Sequence, residues 1–478
     1  MAKTIFNTSE KSNFILNMTE EKYSDIASKA LTAMCLIVSL FTIPAECSEK
    51  VGFPIISGGL AIAGVVCLIL SLIAVIKRFV DRKMIFPVCA FAAMLVWGVI
   101  SLINSYDVTV SFYGFDGRGE GLLALIFYFG FFITGLTVKR EKAVSSLLGG
   151  VIAAGVLNSV WGLLQVFVPG MPSSYDYVVV AGQINAASGL AQSPIFLAML
   201  LSLSLTAAII GFVMSKSKSR RIICIVCSCL FSFVMTLTYS LVGVCGAVFA
   251  VIAAVISVFV SKAPKIRLAG IAGIILPAAL AAVLASVGIV GGNNSYKLHD
   301  GPIMWTDSYS RLSSSGIFHP DALSIDDTAD VYSFLNTKTC NIIKKYPIAG
   351  TGPEQLVYPQ LYSSSQIDEN AGTFDKVYNE YLYTAATRGI PSLIALAALL
   401  ISLIAVSAGR LSKNTDSLTS VSCFFLLVCG VFIFFIGCSN IAFSPIFWAC
   451  AGASCAAAVS GASEKSGKNK EKSARSSK

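Results

Sequence analysis

The chain has 478 residues, 55% of them hydrophobic and only 13% charged. That composition excludes a soluble globule and a disordered chain, and it points to a polytopic membrane protein. The net charge of +9, from 35 basic and 26 acidic residues, is distributed along the chain in a way that argues against nucleic acid as a partner.

In chain order, residues 1–26 are polar and are expected to form a cytoplasmic tail. The first apolar run is long enough to stay as an anchor, so no cleaved secretory signal is expected. A spanning helix needs about 20 apolar residues. Runs of that kind lie near 27–45, 55–76, 84–104, 120–138, 143–168, 186–213, 222–239, 241–261 and 268–290. A large loop, 291–388, follows; three more runs lie near 389–408, 418–438 and 444–460, and a basic tail, 461–478, closes the chain. The reading is an all-α membrane protein of about twelve transmembrane helices, with one large outer loop between the ninth and tenth. The pair of runs either side of Ser240 fits a tight outer hairpin or one long broken helix. The tail after Ser463 has the composition of a disordered segment.

Orientation follows from the basic residues in the connections. One set of helix ends, KRFVDRK, KREK, KSKSRR, KAPKIR and GRLSK with both tails, holds 26 of the 35 basic residues and 9 acidic ones, a net +17. The opposite set holds 9 basic and 17 acidic residues, a net −8. Both termini are therefore expected in the cytoplasm and the large loop outside it. The positive side is matched to an anionic lipid surface.

The apolar runs contain almost no ionisable residues; Asn158, Gln165, Asn185 and Gln192 are the polar exceptions. Ion-coupled carriers keep charged groups at mid-membrane, so an ion-driven carrier is disfavoured. Twelve of the fourteen cysteines fall within apolar runs, leaving Cys47 and Cys340 outside. Cys224, Cys227 and Cys229 have metal-like spacing but no polar company, and read as small buried hydrophobes. His299 and His319 lack a second ligand at suitable spacing, so no metal site is expected.

Chemistry is expected in the loops. Arg118, in SYDVTVSFYGFDGRGEG, is one of only two bases in short outer connections, the other being Lys50. It reads either as an interfacial arginine paired with Glu120 or Asp116, or as a fixed cation for a phosphate. Within KKYPIAGTGPEQL, a Gly- and Pro-rich turn follows Lys344 and Lys345; an anion nest and a plain surface turn both fit. In FDKVYNEYLYTAATRGIPS, Asp375 can cap a helix that puts Tyr378, Leu382 and Ala385 on one face, with Lys376 one turn before Glu380. Gly389 suits the stop of that helix, and Pro391 the first turn of the next.

Three stretches together resemble the O-antigen ligase and polysaccharide polymerase family of bacterial membrane proteins. They are GRGEGLLALIFYF (Gly117–Phe129), NIIKKYPIAGTGPEQL (Asn341–Leu356) and YNEYLYTAATRGIPS (Tyr378–Ser392). The family motif is His-Asn, nine residues, Gly, two residues and a small residue. Tyr378-Asn379, Gly389 and Ser392 keep that spacing, with Tyr378 in place of the histidine. A second departure is TYSLVG, where Leu241 follows Ser240 instead of the Arg of a Ser-Arg-Gly motif. The resemblance covers roughly residues 100–460.

The resemblance implies a membrane-embedded glycosyltransferase that needs neither metal nor cofactor. Its donor is a glycan on undecaprenyl diphosphate; its acceptor is a saccharide or glycolipid outside the bacterial cytoplasmic membrane. Membrane lipids are partners and nucleic acid is not. On that reading Tyr378, Glu380 and Asp375 are the catalytic candidates. Arg118, Arg311, Lys344 and Lys345 are candidates for the diphosphate, and Glu120, Asn379 and Gly389 support the motif. Two alternatives stand beside it. One is a catalytically silent relative that binds glycan carriers or scaffolds partner enzymes; the other is a lipid-linked glycan flippase.

Overall fold

A computed structural model describes residues 18–40, 55–115, 119–168, 171, 186–191, 193–261, 264, 267–286, 328–362, 374 and 376–456. Among these residues the secondary structure is helical throughout, with no strand. The helices are α1 (Glu20–Leu40), α2 (Ile55–Ile76), α3 (Ile85–Ser101), α4 (Val108–Tyr113), α5 (Leu122–Gly135), α6 (Glu141–Phe167), α7 (Pro194–Met214) and α8 (Lys218–Thr236). They continue with α9 (Leu241–Val260), α10 (Arg267–Ser286), α11 (Thr328–Lys345), α12 (Tyr358–Tyr362), α13 (Glu380–Leu411), α14 (Leu418–Ile433) and α15 (Ser444–Ala456). Among the described residues, nine helices are long and apolar enough to cross a membrane.

Every apolar run of the sequence carries a helix, with shifted ends. Helix α1 starts at Glu20, ahead of the run at 27. Run 186–213 begins as non-helical chain, and α7 starts only at Pro194, where the Ser193 hydroxyl accepts a hydrogen bond from the Ile195 N–H. Two of the polar exceptions explain how that chain is tolerated. Asn158 Oδ1 accepts from the Leu190 N–H at 3.0 Å, and Gln165 Oε1 accepts from the Gly189 N–H at 2.8 Å. Irregular backbone inside an apolar bundle survives only when its polar groups are met by protein.

Helix α7 is the axis of the core, with every residue from Ile195 to Val213 buried. Gly243 and Gly246 of α9 face Ala198 and Ser202 in its first half, while Gly211 near its end faces Cys224 in the first turns of α8. Helices α8 and α9 therefore form a hairpin about Ser240, not one long helix. A second close crossing joins α5 to α15: a Cβ on Gly135 would lie 2.3 Å from the Ala449 carbonyl oxygen. Small residues let membrane helices approach in this way. Cys224 and Cys227 pack into the core and Cys229 is half-buried.

Helices α5 and α14 have 14 and 16 residues. At 1.5 Å per residue they are about 21 and 24 Å long, short of a 30 Å hydrocarbon core. Chain that is not helical lies at one end of the bundle: residues 119–121 before α5, 374 and 376–379 before α13, and 434–443 between α14 and α15. That end holds the candidate site.

Candidate functional site

The entrance to α13 sets the geometry. Asn379, not Asp375, caps this helix: its Oδ1 accepts from the Tyr381 and Leu382 N–H groups, both at 3.1 Å. Residues 376–379 are thus outside the helix, and the face shared by Tyr378, Leu382 and Ala385 does not form. Freed from the helix, Lys376 turns inward and is fully buried.

Lysine is almost never fully buried unless it is paired. The Lys376 ammonium meets the Glu120 carboxylate from the chain before α5, lies 3.3 Å from Glu354 Oε1, and donates to the Ser439 carbonyl at 3.0 Å. It also sits over the Tyr383 ring, 4.9 Å from the centroid. Burial pulls its pKa down, but the pull of Glu120 and Glu354 outweighs it, so the ammonium holds its proton well above the usual lysine range. The Tyr383 hydroxyl donates to Glu354 Oε1 at 2.6 Å, and the Tyr128 hydroxyl donates to Glu120 Oε1 at 3.2 Å.

A second pair lies beside the first. Glu380 Oε1 accepts from Arg388 Nη2 at 3.0 Å, and Arg388 Nη2 also donates to Thr384 Oγ1 at 2.7 Å. The other Glu380 oxygen accepts from the Ser439 N–H at 2.7 Å. Glu380 therefore ties the start of α13 to the 434–443 turn and does not line the cleft.

The loop 346–356 carries Glu354 and is pinned from below. Trp97 Nε1 donates to the Ile348 carbonyl at 2.7 Å, Asn104 Nδ2 to the Gly350 carbonyl at 3.0 Å, and the Ser111 hydroxyl to the Pro353 carbonyl at 2.9 Å. Glu354 adopts a left-handed backbone, φ 59°, which aims its side chain at Lys376. A non-glycine residue in that region costs of order 1–3 kcal/mol and persists only where its surroundings fix it.

Beside this cluster lies a narrow cleft of about 30 Å³. Its polar wall is Glu120, Glu354, Lys376, Arg388 and Ser439 with Tyr128, Tyr383 and Thr387; its apolar wall is Leu122, Leu125 and Pro353. The arrangement offers carboxylate acceptors held by a shared ammonium, hydroxyl donors and a guanidinium, beside an apolar strip. Such a lining can bind hydroxyl and anionic groups where they reach the cleft mouth.

Of the candidate site residues from sequence that the structure describes, Glu120 lines the cleft; so does Lys376, which the sequence reading named only as a neighbour of Glu380 on a helix. Asn379 caps α13, and Gly389, with φ 80°, breaks that helix in two. Tyr378 is buried to 1% exposure against the Tyr332 ring and is not part of the lining. Lys344 and Lys345 are exposed in the last turn of α11 and do not line the cleft. Arg118, Arg311, Asp375, His299, His319, Asn185, Gln192 and Cys47 lie outside the described residues. Glu354, Arg388, Tyr128, Tyr383 and Ser439 were not picked out by sequence reasoning, and Lys376 was given no role at the site. The available signal was Asn379-Glu380, a capping residue before an acidic first turn, which leaves Lys376 ahead of the helix. No family model matches the chain, and neither does any curated protein.

Proposed function

We propose that the chain is a membrane-embedded glycosyltransferase. It moves a glycan from an undecaprenyl diphosphate carrier to a saccharide acceptor outside the bacterial cytoplasmic membrane, in cell-surface polysaccharide assembly. The observation that carries this reading is convergence. Of the three stretches that resemble the family, the first is more than two hundred residues from the other two, yet each contributes a charged wall residue to one cleft: Glu120, Glu354 and Arg388. In the proposed step the acceptor oxygen attacks the anomeric carbon and gives its proton to Glu120 or Glu354. The bond to the diphosphate oxygen breaks, and the carrier leaves as the diphosphate anion beside Arg388. Lys376 holds the carboxylates apart from each other and in place. The leading edge of the lipid lies against Leu122 and Leu125.

A second reading, a relative that binds glycan carriers without transfer, is favoured by the position of Tyr378, which stands where the family has its histidine but does not reach the cleft. One experiment separates the two. Carrier-linked glycan is measured in a deletion strain complemented with wild type or Glu120→Gln/Glu354→Gln. The transferase reading expects carrier-linked units to accumulate in the deletion, clear with wild type and persist with the double variant. Clearance by the double variant, or pools that never change, leaves the non-catalytic reading.

A further inference from the structure

The opposite end of the bundle carries a charge imbalance that the cleft does not explain. Between Asp176 and Asp300 the sequence has no acidic residue, yet Lys216, Lys218, Arg220 and Arg221 lie around the start of α8 and Arg267 at the start of α10, while Lys262 and Lys265 lie outside the described residues. Gly270 of α10 packs on the Phe212 ring near the end of α7, and Gly211 packs on Cys224 of α8, so the two basic segments are neighbours. Arg221 and Arg267 lie within electrostatic reach of each other. Among the described residues, Lys216, Lys218, Arg220, Arg221 and Arg267 make no ion pair. Glu141, the acidic residue at the start of α6 on the same end of the bundle, pairs with none of them. The Arg221 Nε is buried without a hydrogen-bond partner. Elsewhere at this end some bases are matched: Lys139 pairs with Glu20, and Arg140 with Asp25 at 3.0 Å.

We infer that the α8–α10 face is a binding site for the headgroup phosphate of an anionic glycerophospholipid. Like charges gathered at two helix starts repel each other and the helix dipoles, and an anion relieves both. The apolar surface selects a lipid over a soluble anion. Ile223 and Val226 follow Arg220 along one stripe of α8 and are 60% and 61% exposed. A phosphate at the arginines therefore has acyl chains running down that stripe.

The test uses the purified full-length protein in mixed micelles containing phosphatidylglycerol and phosphatidylcholine, with retained lipid read by native mass spectrometry. Wild type is expected to retain phosphatidylglycerol preferentially. Arg221→Gln/Arg267→Gln should lower that preference about thirtyfold, from about 1 kcal/mol per basic residue near the surface. Arg221→Lys/Arg267→Lys should keep most of it, and the distant pair Lys142→Gln/Lys413→Gln should leave it intact. No preference in wild type, or full preference in the glutamine pair, overturns the site. Equal loss in the distant pair also overturns it, since the attraction is then diffuse. If millimolar inorganic phosphate displaces the lipid completely, the face is a soluble-anion site and the lipid assignment falls.

Discussion

Lys376 stays charged in a dry environment because two carboxylates meet its ammonium. Removing that cation leaves Glu120 and Glu354 buried against one another. Lys376→Met should therefore destabilise the protein by about 3–5 kcal/mol, the usual cost of breaking a buried pair from one side. Adding Glu120→Gln and Glu354→Gln to Lys376→Met should recover much of the loss, and thermal unfolding in detergent checks both. The folded-state pKa is raised, so the pairing contributes fully below the unfolded lysine pKa of about 10.4 and is lost only as pH rises beyond it. Wild-type pairing should therefore not weaken between pH 6 and 8, whereas in Lys376→Met the stranded carboxylates protonate as pH falls and the stability loss should shrink; a loss unchanged down to pH 5 would count against this. At this scale the sequence was partly legible. Glu120 was named because it neighbours Arg118 in a short outer connection and falls in a stretch that resembles the family. Lys376 was given no role: a helix started at Asp375 turns it into a solvated surface base, and moving the start to Asn379 turns it inward. Glu354 was hidden in a Gly- and Pro-rich turn whose conformation depends on Trp97, Asn104 and Ser111, all more than two hundred residues away.

The element that fixes the cleft is the break in α13. At Gly389 the chain takes φ 80°, and a Cβ there would lie 1.9 Å from the Ile348 carbonyl oxygen. The loop 347–352 uses that gap. The Ile390 N–H donates to the Pro347 carbonyl at 2.8 Å, and the Thr351 and Gly352 N–H groups donate to the Ala386 and Thr387 carbonyls at 3.0 and 2.9 Å. Loop and helix end are thus laced together, and Glu354 sits two residues beyond the lacing. Gly389→Ala adds both backbone strain and a carbonyl clash. It should cost about 2–4 kcal/mol, combining a left-handed non-glycine residue with overpacking. It should also lower transfer activity by displacing Glu354. Ala at 389 with unchanged melting temperature would mean that the loop yields freely. The stop at Gly389 and the restart at Pro391 were readable because those residues have a strong backbone preference of their own. The start of the same helix was not, since Asp375 and Asn379 are both good caps and only packing chooses between them.

Over the whole molecule, charge separates the two ends of the bundle. Helices α5 and α13 begin at the cleft and end at Lys139 and Arg410, where bases pair with Glu20 and Asp81 across neighbouring helices. The apolar runs made the helices legible, because length and hydropathy alone specify a spanning element. The short α5 and α14 were read as full spans because apolar residues continue into the non-helical turns that form the site. Orientation rests on the basic residues, and the proposed function needs the cleft outside. Ile348, 67% exposed on the cleft loop, and Ser412, exposed after α13, mark the two ends. With a membrane-impermeant maleimide on intact cells, Ile348→Cys should label above the unsubstituted protein. Ser412→Cys should label only after the membrane is opened. The driving force is the cost of moving the paired and unpaired bases of the Arg410 end across the bilayer, which the positive-inside bias expresses. The reverse pattern would put the cleft in the cytoplasm, where the proposed extracytoplasmic transfer is impossible. Labelling of both sites in intact cells would mean that the protein inserts in two orientations, and the charge argument would then fail for this chain.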